Sequence, residues 1–185
     1  MNLQNLFELQ KQLDEHIEKK HPRKEGEDRL SKKILALQVE LAECAQESRC
    51  FKFWSSRQEP VTEDLRVVDY KESGEAILET YNPLLEEYVD CLHFILSIGL
   101  EKDFVKLGYN ESAVEGMKRK DITSQFNYLF DKVGDFSSIP NHNNYMYIVS
   151  LFIGLGEMLG FTWEQIEQAY LNKNNINHQR QEENY

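Results

Sequence analysis

The sequence predicts a single all-α domain over residues 1–185, a helical bundle of about six helices around a four-helix core. Three observations point there. Apolar residues recur at spacings of three and four along most of the chain, which is the period of a helix, and the alternation of a half-buried strand is scarce. Residues that start and stop helices fall at the edges of these periodic stretches. Two of the stretches are apolar on nearly every side except for one stripe of acids, the pattern of buried helices that share a polar seam.

Taken in order, Leu3, Leu6, Phe7, Gln10, Leu13 and Ile17 mark a first helix. It must stop before Pro22, which lacks the N–H that a further turn requires. A charged connection from His21 to Arg29 leads to a second helix, from about Leu30 to Ser48. Ser55 to Asn82 is long, polar and interrupted by Pro60 and Gly74; it fits no single element, and Leu65, Val67 and Val68 are expected to tack part of it down. Asn82-Pro83 reads as the N-cap and first residue of a third helix running to about Glu101. Ile122, Phe126, Leu129, Phe130 and Val133 predict a fourth. A fifth runs from about Asn144 to Leu159 and closes at Gly160, a residue that takes the left-handed conformation at low cost. Thr162-Trp163-Glu164-Gln165 is a capping box opening a sixth, which continues through Ile166, Ala169 and Tyr170 into a polar tail. No stretch repeats at a fixed period.

Composition narrows the function. The 185 residues are 41% hydrophobic, enough for one substantial core, and carry a net charge of -11 with a pI near 5.0. Nucleic-acid backbones and anionic membranes attract basic surfaces, so the charge argues against both as partners. No apolar run reaches transmembrane length, and the first twenty residues are a mixed-charge amphipathic segment rather than a signal peptide. Cys44, Cys50 and Cys91 make an odd count without C-x-x-C spacing, which predicts reduced, inert thiols in the cytoplasm.

The acids carry the chemistry. From Ile34 to Ala45 nine of twelve residues are apolar, and Glu40 and Glu43 lie on one side of that helix, with Glu47 extending the row. On the third helix Glu86, Glu87, Asp90, His93 and Ser97 share another stripe. Packing stripe against stripe brings four or five carboxylates together. Two of them about 4 Å apart repel by about 4 kcal/mol at an effective dielectric near 20, and burial adds a desolvation cost. Protonation relieves one or two; divalent cations relieve all. Hard oxygen ligands suit Mg²⁺ or Mn²⁺, whereas no His/Cys set has zinc spacing. A di-iron site asks for Glu-x-x-His on two helices, and only Glu18-x-x-His21 and Asp90-x-x-His93 come near it. His93 reads as a satisfied core or supporting residue rather than a ligand.

E-x-x-E on one helix and E-x-x-D on a later one, here Glu40, Glu43, Glu87 and Asp90, resemble the metal motif of the all-α nucleoside triphosphate pyrophosphohydrolases. LFELQKQLDE, FKFW and the closing KNNINHQRQEENY narrow the resemblance to the dimeric all-α dUTPases. That resemblance implies hydrolysis of dUTP, and of dUDP, by a homodimer that can share site residues between subunits. It implies Mg²⁺ on Glu40, Glu43, Glu87 and Asp90, and a metal-activated water that attacks the phosphate chain. Glu40 or Glu43 doubles as general base. Lys173, Asn177, Arg180 and Tyr185 are implied to contact phosphate. Asp14 stands where some relatives have Asn, in a region that helps to read the base. A MazG-like enzyme for another nucleotide such as dCTP, and a non-catalytic helical interaction protein, are the alternatives.

Three further candidates follow from the residues themselves. Trp54 offers a flat apolar surface for a uracil and Lys52 a charge for phosphates; the alternative packs Phe51, Phe53 and Trp54 into the core. Gln10 can both donate to and accept from a base edge. Lys173, Asn177, Arg180 and Asn184 share one stripe if the last helix continues, and the tail 173–185 is expected to be loose until it closes as a lid over bound phosphates.

Overall fold

The computed structural model describes residues 3–104 and 116–183. Its elements run α1 (Leu3–Lys20), α2 (Arg29–Ser48), β1 (Asp64–Tyr70), β2 (Ala76–Tyr81), α3 (Pro83–Glu101), α4 (Ile122–Ser138), α5 (His142–Met158) and α6 (Trp163–Glu182). The expected caps set the boundaries. Asn82 accepts from the Leu85 N–H with Pro83 following it, and Thr162 and Gln165 close a reciprocal capping box. Asp28, Asp121 and Asn141 cap α2, α4 and α5 in the same way. Each such cap is worth about 1 kcal/mol against alanine. Gly160 follows α5 with φ +83°.

Helix α3 is the centre of the molecule, packed against α1, α2, α5 and α6. Its partnership with α5 is keyed by two tyrosines. Tyr88 of α3 donates its hydroxyl to the Phe152 carbonyl (3.1 Å) and lies over Gly156 of α5. Tyr145 of α5 donates to the Ile95 carbonyl (3.1 Å) and lies over Gly99 of α3. A Cβ at either glycine would collide with the ring that covers it.

Two expectations are corrected. Helix α2 is not buried all round: Ile34, Leu37, Leu41, Cys44 and Ala45 face the core, but Leu35 (62% exposed), Val39 and Ala42 form an uncovered apolar stripe. Helices α3 and α4 cover one side of α2, and no described element of the chain covers the other. Ser55 to Asn82 contains an antiparallel hairpin, with Asp64 opposite Tyr81 and a bulge between Val67 and Asp69. Leu65, Val67 and Val68 do not tack it down; all three are exposed. Its anchors are polar. The Val61 N–H donates to the Glu47 carbonyl, the Leu84 N–H donates to the Val61 carbonyl, and Arg66 pairs with both Glu79 and Glu86.

The polar tail continues α6, which runs unbroken to Glu182. Little of it packs by hydrophobic burial. It is held instead by Lys173 paired with Asp90 of α3 (2.6 Å), by His178 stacked on His16 of α1 (centroids 5.1 Å apart), and by Glu182 paired with Lys20 (3.1 Å).

Candidate active site

The acidic stripes of α2 and α3 do meet. Glu40, Glu87 and Asp90 each place a carboxylate oxygen within 4.8 Å of the others'. Glu43, one turn from Glu40, is exposed and outside that trio, yet close enough to act on it electrostatically. Glu86 lies to the side, held by Lys173 (2.9 Å) and Arg66 (2.8 Å).

The trio is short of positive charge. Burial, then Asp90 and Glu43, push the Glu40 carboxyl up to about 7. Burial, then Asp90, Glu43 and Glu40, push Glu87 up to about 8. Burial also raises Asp90, against the pull of Lys173, whose ammonium lies 2.6 Å from Asp90 Oδ2. Carboxylates so placed are stabilised by any cation that supplies what water no longer does. The donor set is all oxygen and half-buried, which fits a hard divalent metal.

A cavity of about 690 Å³ opens from Glu40 and Asp90. Lys173, Asn177 and Arg180 of α6 line it beside the acids, which brings three of the tail candidates to the site. Asn184 and Tyr185 lie outside the described residues. Further along, Gln10 and Asp14 line the cavity with His93 and Ser97, and Leu13, Ile17, Phe94 and Leu100 supply apolar wall. Its size is that of a small-molecule site, in which a few polar groups orient a ligand held mainly by apolar contact.

Two candidates are elsewhere. Phe51 and Phe53 each pack edge-on against Trp54 after α2, with Trp54 66% exposed and Lys52 near the Phe51 ring. Neither Trp54 nor Lys52 lines the cavity within one chain, and the three aromatics are not core. Sequence reasoning missed Phe94 and Lys33 as lining residues, and took His93 for a satisfied residue although its Nε2 has no partner among the described residues. The signal for His93 and Phe94 was their position just beyond Asp90 on α3.

A family model described as dUTPase matches residues 2–69 and 76–185. The chain belongs to the all-α dUTPase family. It is a dUTP diphosphatase, and the residues left unmatched lie at the turn of the β1–β2 hairpin, where loops absorb insertions. No curated protein matches the chain. A dUTPase of this kind works with a divalent metal, and the trio of Glu40, Glu87 and Asp90 is where the donor chemistry suits one.

Proposed function

We propose that this dUTPase converts dUTP to dUMP and pyrophosphate, and also takes dUDP, with Mg²⁺ as its resident metal and Mn²⁺ as an acceptable substitute. Glu40, Glu43, Glu87 and Asp90 would hold the metal. When bound, such an ion polarises phosphoryl oxygens and lowers the pKa of a coordinated water. The chain's own residues do the rest. Glu40 or Glu43 accepts the proton that the attacking water gives up. Lys173, Asn177 and Arg180 grip the phosphate chain, Arg180 through paired charge-assisted hydrogen bonds, with Tyr185 added by the family resemblance. The base lies toward Gln10 and Asp14.

The observation that carries this reading is one cavity lined by Glu40 and Asp90 of the acid trio, by Lys173 and Arg180, and by the apolar Leu13, Ile17, Phe94 and Leu100. A homodimer is part of the proposal. The uncovered α2 stripe of Leu35, Val39 and Ala42 supports it, and a second copy seated there is the means by which Trp54 and Lys52 would reach a site. Free Cys44, Cys50 and Cys91 support a cytoplasmic location. The test is pyrophosphate release from the four common dNTPs and dUTP, and orthophosphate release from dUDP, with Mg²⁺ or with a chelator. Metal-dependent turnover that favours dUTP is expected. A preference for dCTP, a flat profile or no turnover would overturn it.

A further inference from the structure

Lys173 lines two cavities at once. One is the large cavity that opens from the acids; the other, of about 200 Å³, is shared with Arg66 and Tyr81 of the hairpin and with Glu86. A lysine ammonium is a point charge on a flexible four-carbon stem, so its place is set by the acceptors around it. Two carboxylates hold this one, Asp90 Oδ2 at 2.6 Å and Glu86 Oε1 at 2.9 Å. Asp90 belongs to the acid trio, so a metal held there draws on the same carboxylate. Glu86 stands outside the trio, and its hold on Lys173 does not depend on what the trio binds. The second oxygen of Glu86, Oε2, accepts from Arg66 Nη1 of β1 at 2.8 Å. Arg66 is itself fixed: its guanidinium lies 4.7 Å from the centre of the Tyr81 ring, and its Nε donates to Glu79 at 3.2 Å. The charges thus form one line, Arg66–Glu86–Lys173–Asp90, from the hairpin to the acids. Exposure falls inward along it, from 35% at the Arg66 side chain to 11% at Lys173, so its inner pairs are the less screened by solvent.

We propose that Arg66 is a positioning residue for the reaction: through Glu86 it sets where the Lys173 ammonium stands beside the phosphate chain. Without Arg66, Glu86 keeps one cation in place of two, and its carboxylate is free to change rotamer. Lys173 then loses the fixed acceptor that holds it while Asp90 is engaged with the metal. Each phosphate contact must then be made by ordering a long side chain that was already ordered in the wild type, which weakens binding. An Arg66 that only pinned the hairpin would leave the phosphate contacts untouched. Arg66 reaches neither the acids nor the large cavity, so any effect it has on phosphate binding passes through Glu86 and Lys173.

This inference rests on the reading of Lys173 as a phosphate contact, and the experiment separates the two. Nitrogen NMR of the lysine ammonium groups in the whole protein reads the position of Lys173 without turnover, its signal being assigned by its loss in Lys173→Met. A buried, doubly paired ammonium should give a sharp signal in the wild type. That signal should broaden or vanish in Arg66→Gln and persist in Arg66→Lys, which keeps a cation for Glu86 Oε2. In saturating Mg²⁺, Arg66→Gln should raise KM for dUTP roughly fivefold and leave kcat within about twofold, the pattern of a contact made equally in the ground and transition states. Arg66→Lys should restore most of the loss. An unchanged Lys173 signal in Arg66→Gln overturns the proposal. So does an unchanged KM in Arg66→Gln when Lys173→Met raises it, or no rescue by Arg66→Lys. If Lys173→Met itself leaves KM unchanged, the phosphate role of Lys173 fails, and the NMR result alone upholds or overturns the link from Arg66 to Lys173.

Discussion

Among single residues, Glu43 and Trp54 are the most informative to change, because position and chemistry point in different directions. Glu43 is exposed and outside the close trio, but its charge raises both Glu40 and Glu87. Glu43→Gln keeps the shape and removes that repulsion. Turnover in saturating Mg²⁺ should fall by orders of magnitude, while the metal-free protein melts at the same temperature or higher. Near-normal turnover would remove Glu43 from the ligand set. Trp54→Ala should leave stability within about 0.5 kcal/mol, as for most exposed positions. If the ring stacks on the base, KM for dUTP should rise by a factor worth about 1–3 kcal/mol. An unchanged KM would confine Trp54 to the surface. The acids were legible in the sequence because a charged stripe on an apolar helix has few places to go. The orphaned nitrogen of His93 was not, because it depends on which residues of α1 and α6 arrive beside it.

Elements were legible where local chemistry decides them. The caps of α3 and α6 are contained within a few residues each, so they could be read directly. The β1–β2 hairpin could not, because both of its faces are largely exposed and the alternation that reveals a strand comes from burying one face. The contacts at the end of α6 could not be read either, for a related reason: its partners are His16 and Lys20 on α1, more than a hundred residues away. Deleting residues 175–185 removes those contacts together with Asn177 and Arg180. Circular dichroism should show the remaining helices intact and Tm a few degrees lower, while kcat/KM drops sharply. Full activity in the truncated enzyme would return the tail to a structural role. The α3–α5 pair offers a separate test. Gly99→Ala and Gly156→Ala each place a methyl against a tyrosine ring, and each should cost about 1–3 kcal/mol by chemical denaturation despite alanine's better helix propensity.

For the whole molecule the acid cluster links folding to pH. Glu40 and Glu87 hold their protons up to about 7 and about 8, above the ordinary 4.5 of an unfolded glutamate. Their contribution is therefore complete below about 4.5 and is lost as pH rises through 7 to 8. Without metal, Tm should be lower at pH 8.5 than at pH 6; saturating Mg²⁺ should shrink that difference, because a ligand of the folded state favours the ionised acids. The same slope with and without Mg²⁺ would place the metal elsewhere. Association is tested on the α2 stripe: Leu35→Glu with Val39→Glu should convert a dimer to a monomer by light scattering, and a dimer that survives both would put the interface on another face.

The two tyrosine keys carry a further consequence. Tyr88 precedes Gly99 by eleven residues, and Tyr145 precedes Gly156 by eleven. Each tyrosine also reaches the carbonyl four residues before the opposite glycine, Phe152 in one case and Ile95 in the other. YVDCLHFILSIG and YMYIVSLFIGLG are thus two renderings of one phrase, laid head to tail so that each fills the notch of the other. In that alignment Asp90 and His93 answer to Tyr147 and Ser150. Of these two antiparallel segments, only the one in α3 carries an acid and a histidine at those positions.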